Sequence, residues 1–204
     1  MNLHYTLFSL GNIIPLNIYV DSKELEKDIS RYKERFKPYN PRKKGYNRLA
    51  LSLTSHDGGF SGSPDLDSLF EYNQIHNTHY NESDFREPTP FFKSSQTLQT
   101  ALKPFEGSIG RSHILKLDKG GFFPPHRDGD NGSFRLFFSI TSANHYVFIL
   151  DEQKISLKLE QFYCLNTNLS HSLFSFKDNS LFAVFNIDLN ESSIQSIYKN
   201  LESF

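Results

Sequence analysis

The second half of the chain constrains the fold most, because short apolar runs alternate there with turn-forming segments. The runs predict strands at 111–117, 133–141, 145–150, 155–159, 161–165, 172–176 and 181–187. The separators at 118–121, 128–132, 151–153 and 177–179 are rich in Gly, Asp and Asn. Seven short strands without a helical pattern between them indicate a sandwich or a barrel.

Helical patterns precede and follow these strands. A capping-box pattern at Asp21 and Glu24 begins a predicted helix over 22–37, and two more helices are predicted over 95–103 and 191–201. Apolar alternation predicts strands over 1–11 and 47–53, the first in preference to a signal peptide. We therefore expect an α+β, mainly β chain with helices packed on the outside of one sheet.

We expect one domain over residues 1–204, since β-barrel and sandwich domains often reach this length. It divides into an N-terminal helical and loop region (1–110), a strand-rich core (111–189) and a C-terminal helix (190–204). Residues 54–89 are rich in Gly, Ser, Asn and Asp, and we interpret them as an insertion that forms a lid over a pocket.

Composition excludes several functional classes. The net charge of −1, from 22 basic and 23 acidic residues, provides no field that favours nucleic acid or membrane. The short basic run Arg42-Lys43-Lys44 with Arg48 is interpreted as a solvated loop. The one cysteine, Cys164, lies in an apolar stretch, which indicates a buried, inert thiol and is compatible with a cytoplasmic location.

The segment Gly120-Gly121-Phe122-Phe123-Pro124-Pro125-His126-Arg127-Asp128 carries the most chemical information. In an extended chain, residues i and i+2 point to the same side, so His126 and Asp128 can reach one point together. A second imidazole from another strand would complete a set of two histidines and one carboxylate. That set, with open metal positions, is diagnostic of non-haem iron(II) oxygenases.

Two downstream histidines compete for the third position. His171 follows the turn Thr167-Asn168-Leu169-Ser170 and begins a predicted strand, whereas His145 lies at the start of another strand. We favour His171, so the predicted metal ligands are His126, Asp128 and His171. His76 and His79 are interpreted as exposed loop histidines, and His56 as a candidate substrate contact.

Arg135 is the candidate carboxylate-binding residue. In the predicted strand 133–141 it alternates with Phe134, Leu136 and Phe138 and shares a face with Phe137. A guanidinium binds a carboxylate through two parallel hydrogen bonds, so we favour this role over that of a solvent-facing arginine.

The runs "LKLDKGGFFPPHRDGDNGSFRLFFSI" and "NLSHSLFSFKDNSLFAVFNID" resemble the aspartyl/asparaginyl β-hydroxylase-like branch of the 2-oxoglutarate, iron(II)-dependent dioxygenases, which includes free-proline hydroxylases. The resemblance covers residues 114–188, a little over a third of the chain. It implies a double-stranded β-helix (jelly-roll, cupin-like), iron at His126, Asp128 and His171, and 2-oxoglutarate bound by Arg135. Ascorbate is a further candidate cofactor.

The sequence departs from that branch at one position. Many relatives carry a second basic residue about ten positions after the distal histidine, where this chain has Ser180-Leu181-Phe182. A buried dicarboxylate without cationic partners is costly. Arg135 would then hold that carboxylate, with Arg111, His113 or Lys116 as candidate helpers.

The sequence therefore predicts hydroxylation of an amino acid, or of an Asp, Asn or Pro side chain in a peptide. We expect a small-molecule or peptide substrate, with no nucleic-acid or membrane partner. Two alternatives stay open: a cupin-like metal enzyme that does not use 2-oxoglutarate, and a non-catalytic jelly-roll binding module.

Overall fold

The computed structural model describes residues 2–129 and 132–202 and has an α+β, mainly β fold, the double-stranded β-helix. Its strands are β1 Ile13–Tyr19, β2 Lys37–Pro38, β3 Arg48–Ser52, β4 Thr54–Ser55, β5 Glu87–Pro88, β6 His113–Leu117, β7 Phe122–His126, β8 Ser133–Ser139, β9 Tyr146–Leu150, β10 Gln153–Ile155, β11 Gln161–Leu165, β12 His171–Ser175 and β13 Ser180–Asp188. Its helices are α1 Leu3–Phe8, α2 Ser22–Ser30, α3 Leu69–His76, α4 Pro90–Ser94, α5 Gln96–Leu102 and α6 Glu191–Lys199.

Two antiparallel sheets form the barrel. Within the described residues, the major sheet has the strand order β1-β11-β8-β13-β6-β3-β2, and the minor sheet has the order β10-β9-β12-β7. The short strands β4 and β5 form a separate two-stranded sheet. Because β1 and β3 pair with β11 and β6, the N-terminal third of the chain extends the major sheet on both sides.

Helices cover the outer face of the major sheet, as the sequence predicts. Buried side chains of α2, α5 and α6 pack against that face and form one hydrophobic core with Phe138, Phe162 and Phe185. Burying apolar area on this scale is the main favourable term in folding. None of the helices in the described part of the chain is long and apolar enough to cross a membrane.

A second core fills the space between the two sheets. On β8, Phe134, Leu136 and Phe138 belong to the outer core, while Phe137 belongs to the inner one. Side chains alternate across a strand, so Arg135 shares the inward face with Phe137. The predicted alternation of this strand is confirmed, and it directs Arg135 into the barrel.

The edge strand β7 carries the chemically informative segment. Among the described strands it pairs only with β12. It contains Pro124 and Pro125, which suits an edge position because proline cannot donate to a second neighbour. Gly121 precedes it, where a Cβ atom would lie 2.5 Å from the carbonyl oxygen of Asn47 and 2.8 Å from that of Asp118. Glycine at 121 therefore lets the start of β7 approach the chain beside β3.

The N-terminal strand prediction over 1–11 is wrong. The chain forms α1 there, and the Asn2 side chain accepts hydrogen bonds from the backbone N–H groups of His4 and Tyr5. Leu3 and Leu7, one turn apart, give this helix an apolar side, and Leu7 is fully buried. The first strand of the structure is instead β1, which the sequence patterns did not predict.

Other predicted boundaries shift for local reasons. The helix predicted over 22–37 ends at Ser30, and a 3₁₀ turn at Lys33–Arg35 leads to β2. The strand predicted over 155–159 is displaced to β10, because Asp151 and Glu152 both have positive φ and form a two-residue hairpin turn. The predicted turn 128–132 includes residues 130 and 131, which lie outside the described residues.

The segment 54–89 contains more regular structure than its composition indicates. It contains α3. The N-cap of this helix is Ser68, whose side chain accepts a hydrogen bond from the Glu71 N–H, and the C-cap is Asn77, in the left-handed conformation. Polar capping residues thus define a helix whose apolar periodicity is weak.

Candidate metal centre

His126 and His171 face each other across two paired strands. His126 ends β7, His171 begins β12, and the two residues are direct partners in the antiparallel register. Their ring centroids lie 4.2 Å apart. Strand pairing therefore brings together two imidazoles that are 45 positions apart in the sequence.

The backbone orients both rings. Nδ1 of His126 lies 2.7 Å from the carbonyl oxygen of Pro124, and Nδ1 of His171 lies 3.1 Å from that of Leu169. Because a carbonyl only accepts, each Nδ1 carries the proton and donates, which leaves each Nε2 as a lone-pair donor. Metal-binding histidines usually have their second nitrogen fixed in this way.

Asp128 completes the group two residues after β7. Its Oδ1 lies 3.9 Å from Nε2 of His126, and its Oδ2 lies 3.3 Å from Nε of Arg135. Its backbone N–H donates to the carbonyl of Thr167 at 2.9 Å. Burial raises the pKa of this carboxyl, but Arg135, His171, His126 and the Thr167 side chain outweigh burial and hold the pKa below its usual range.

The three side chains form the one convergent group of three or more His, Cys, Asp or Glu ligands found in residues 2–129 and 132–202. One ligand atom from each residue lies within 4.8 Å of the others. Two neutral imidazoles and one ionised carboxylate are a donor set suited to iron(II) that leaves coordination positions open. Burial and the neighbouring His126 lower the pKa of His171, which favours its neutral, metal-binding form.

His145 lies away from this group. It precedes β9, whose register pairs Tyr146 with Ser175 and Leu150 with His171. The two histidines are therefore at opposite ends of the β9–β12 pair, about 16 Å apart along the strands. The structure brings His171, and not His145, beside His126 and Asp128.

A cavity of about 820 Å³ opens between the two sheets at the three side chains. Its inner wall carries Phe123, Phe137 and Phe148 from the barrel strands. Residues of the segment 54–89 also line it, namely Asp67, Ser68, Leu69, Phe70, Asn73, Tyr80, Asn81 and Glu82. Charged side chains such as Arg48, Arg111 and Arg135 also line the cavity, so its lining is mixed. A cleft of this volume is typical of a small-molecule site.

The candidate basic residues have different positions. Arg135 lines the cavity, and its Nη1 donates to Ser133 Oγ at 3.0 Å. Arg111 also lines it but donates two 2.8 Å hydrogen bonds to Glu82. Lys116 lies outside the cavity, 3.9 Å from Asp118. Arg135 is therefore the candidate that the structure places directly beside the ligand group.

Sequence patterns missed Arg48, which belongs to the basic run interpreted as a solvated loop. Arg48 begins β3, is 7% exposed and lines the cavity. The signal that would have identified it is the alternation of Leu49, Leu51 and Leu53, which places Arg48 on the opposite face of the strand. Because both faces of the major sheet are covered, that opposite face is the barrel interior.

The remaining histidine candidates lie outside the site. His76 and His79 are exposed, as the sequence predicts, but His76 is the last residue of α3 and not part of a loop. Neither belongs to a convergent ligand group in the described residues. His56 packs edge-on against Tyr80, with ring centroids 5.0 Å apart, and is not among the residues that line the cavity. Its predicted role as a substrate contact finds no support in this position.

Comparisons with known proteins agree with the fold. No protein-family model and no curated protein matches this sequence. An oxidoreductase of the 2OG-Fe(II) oxygenase family from Burkholderia pseudomallei superposes with a TM-score of 0.53 at 12% identity, covering 93% of this chain and 89% of that one. A predicted oxalate decarboxylase from Thermotoga maritima gives 0.34 at 16% identity, covering 43% of this chain and 73% of that one. At 12% identity the likeness to the Burkholderia pseudomallei oxidoreductase shows the fold alone, and function has to be argued from the site.

Proposed function

We propose that this protein is a non-haem iron(II), 2-oxoglutarate-dependent oxygenase that hydroxylates an amino acid or an Asp, Asn or Pro side chain. The observation that carries the proposal is the convergence of His126, Asp128 and His171 at the cavity, with both Nδ1 atoms held by backbone carbonyls. The resemblance of residues 114–188 to the dioxygenases and the fold of the Burkholderia pseudomallei oxygenase add support.

In this proposal His126 and His171 would hold iron through Nε2 and Asp128 would hold it through a carboxylate oxygen. Iron with O₂ and a 2-oxo acid supplies the oxidising power for C–H hydroxylation. In the balanced reaction one atom of O₂ enters the substrate as hydroxyl and the other enters succinate, while 2-oxoglutarate loses CO₂. The backbone carbonyls that accept from His126 and His171 keep the imidazoles in the orientation that iron requires.

Arg135 has two tasks in this proposal. Its Nε faces Asp128, so it keeps that carboxylate ionised and oriented toward the metal. Arg135 also lines the cavity, and its remaining N–H donors would bind the 2-oxoglutarate carboxylate nearest the iron. The aromatic walls at Phe123, Phe137 and Phe148 would exclude water from the reacting groups.

The insertion 54–89 would provide substrate specificity as a lid of the single domain. Support comes from the cavity wall that Leu69, Phe70 and Tyr80 contribute from this segment. Loops on a rigid scaffold commonly carry specificity, and the cavity is large enough for a 2-oxo acid beside an amino-acid-sized group. Ascorbate would serve as a reductant for iron, and the substrate would be a small molecule or a peptide.

Anaerobic titration of the apo-protein with Fe(II), with and without 2-oxoglutarate, tests the proposal. We expect the weak visible absorption band of a chelated 2-oxo acid only when both are present. His126→Ala and Arg135→Ala should remove it, whereas His79→Ala, a matched change at an exposed histidine, should keep it.

The outcomes separate the rival functions. Tight Fe(II) binding that depends on His126, without a 2-oxoglutarate-dependent band, would replace this proposal with a cupin-like metal enzyme that uses another co-substrate. Absence of specific Fe(II) binding would leave a non-catalytic jelly-roll binding module.

A further inference from the structure

A buried arginine lies in the cavity away from the metal centre. Arg48 projects from β3 into the barrel and is 7% exposed. It is also among the residues that line the cavity. Long charged side chains are rarely buried to this extent unless they are paired.

Aromatic rings surround the guanidinium. Its Cζ lies 4.2 Å from the ring centroid of Phe123, 4.7 Å from that of Tyr46 and 5.4 Å from that of Tyr39. Ring faces stabilise a cation without accepting hydrogen bonds in the plane of the guanidinium. Accordingly, Nε of Arg48 is buried and has no hydrogen-bond partner.

No carboxylate in residues 2–129 and 132–202 forms an ion pair with Arg48. The other arginines of the cavity interior are already engaged, Arg111 by Glu82 and Arg135 by Asp128. The three rings offset part of the cost of burying this cation but leave it without an anionic partner. A cation of this kind that lines a cavity is suited to bind an anionic group of a ligand.

The position of Arg48 suits one end of a short, extended ligand. The Phe123 ring neighbours both Arg48 and the metal centre, because its centroid lies 4.2 Å from the Arg48 Cζ and 6.1 Å from the ring centroid of His126. The register pairs Arg48 with Leu117, and Leu117 with Ser180. Arg48 thus lies at the level of the 180–182 segment, which itself carries no basic residue.

We propose that Arg48 binds the remote carboxylate of a 2-oxo dicarboxylate whose 2-oxo acid end faces His126, Asp128 and His171. This inference rests on the proposed function and deepens it, since it assigns the second cationic group to a strand outside the region of resemblance. Arg135 then serves the near carboxylate and Arg48 the far one. The two guanidiniums together select a dicarboxylate over a monocarboxylate.

The test measures ligand affinity by anaerobic calorimetry on the Fe(II)-loaded protein. The two ligands are 2-oxoglutarate and 2-oxopentanoate, which has the same chain length but ends in a methyl group. The variants are Arg48→Gln, Arg48→Lys and the matched control Arg35→Gln, an exposed arginine 5.8 Å from the Phe60 ring. Fe(II) affinity of each variant, measured first, reports whether the metal centre is intact.

We expect the wild-type protein and Arg35→Gln to prefer 2-oxoglutarate by about 30-fold or more, which corresponds to about 2 kcal/mol. Arg48→Gln should lose this preference while keeping its affinity for Fe(II) and for 2-oxopentanoate. Arg48→Lys, which keeps a charge but not the planar donor pair, should retain part of the preference.

Three results would overturn the inference. In the first, the wild-type protein binds 2-oxoglutarate and Arg48→Gln retains the full preference for 2-oxoglutarate over 2-oxopentanoate. Only the role of Arg48 is then wrong. In the second, Arg48→Gln weakens both ligands equally, so Arg48 supports the cavity and does not select the ligand. In the third, the wild-type protein shows no 2-oxoglutarate binding, and the proposed function is then wrong as well.

Discussion

Arg111 holds Glu82 through two parallel hydrogen bonds of 2.8 Å each, and this buried ion pair ties the insertion to the barrel. Arg111 lies two residues before β6. Its Nη1 also donates to the carbonyl of Asp67 at 2.7 Å. Asn186 of β13 donates to the same Glu82 carboxylate. The wall of the cavity formed by residues 67–82 is therefore fixed to two barrel strands and is not merely a loop lying over the opening.

Removing the Glu82 charge should destabilise the protein strongly. Glu82→Gln leaves Arg111 buried without its counter-ion, which typically costs about 3–5 kcal/mol. Urea unfolding at neutral pH measures this loss. Glu34→Gln, which removes a fully solvated partner 4.0 Å from Lys33, should leave the free energy of unfolding within error. Equal effects of the two changes would contradict the role given to Glu82.

His113 should make the protein sensitive to acid. Burial, followed by Arg111 and Arg135, lowers its pKa from 6.5 to about 3, although Asp128 acts in the opposite direction. Its Nδ1 has no hydrogen-bond partner, and its ring packs 5.1 Å from that of Tyr39. The unfolded chain therefore binds one more proton than the folded chain between about pH 3 and 6.5, and stability falls as the pH falls through that window.

This linkage has a measurable slope. His113 should contribute about 1.4 kcal/mol per pH unit to the loss of unfolding free energy below pH 6.5. Urea unfolding of His113→Gln at several pH values from 6.5 down to 4.5 should show a slope smaller by that amount. His79→Gln, at an exposed position, should keep the wild-type slope. An unchanged slope in His113→Gln would show that other groups cause the acid sensitivity.

Arg135 should affect metal affinity even without a co-substrate. Arg135→Lys keeps a positive charge but removes the Nε that lies 3.3 Å from Asp128. Loss of such an outer partner typically costs about 10–100-fold in metal affinity. Competition with a chromophoric chelator measures Fe(II) affinity in the absence of 2-oxoglutarate. The exposed neighbour Arg127, changed to Lys, should bind Fe(II) like the wild-type protein.

Cys164 should be unreactive in the folded protein. It is fully buried on β11, and burial raises the pKa of its thiol far above the usual range, so almost no thiolate forms near neutral pH. Reaction with an aromatic disulfide reagent at pH 8 should proceed only at the rate at which the protein opens. In urea above the unfolding midpoint the thiol should react completely within the mixing time of a manual assay. Fast reaction of the native protein would show that the strand is exposed more often than the packing implies.

The sequence alone determined the local features of this protein. Strand alternation predicted the barrel strands and the inward direction of Arg135. Successive side chains of a strand point to opposite faces, so the apolar neighbours of a residue indicate which face it lies on. The same rule brings His126 and Asp128 to one side of the chain, since they are two residues apart. The N-caps Asn2 and Ser68 were weaker signals, because α1 has only six residues and α3 has weak apolar periodicity, and both helices were missed.

Only the tertiary structure decided which distant residues meet. His145 and His171 begin similar strands, and the register of β12 on β7 alone places His171 beside His126. The burial of Arg48 likewise depends on the pairing of β3 with β6. This pairing places Arg48, which belongs to a basic, proline-flanked segment of the sequence, in the barrel interior. Strand pairing and the covering of both sheet faces depend on contacts between residues that are far apart in sequence. Local sequence patterns therefore do not predict them.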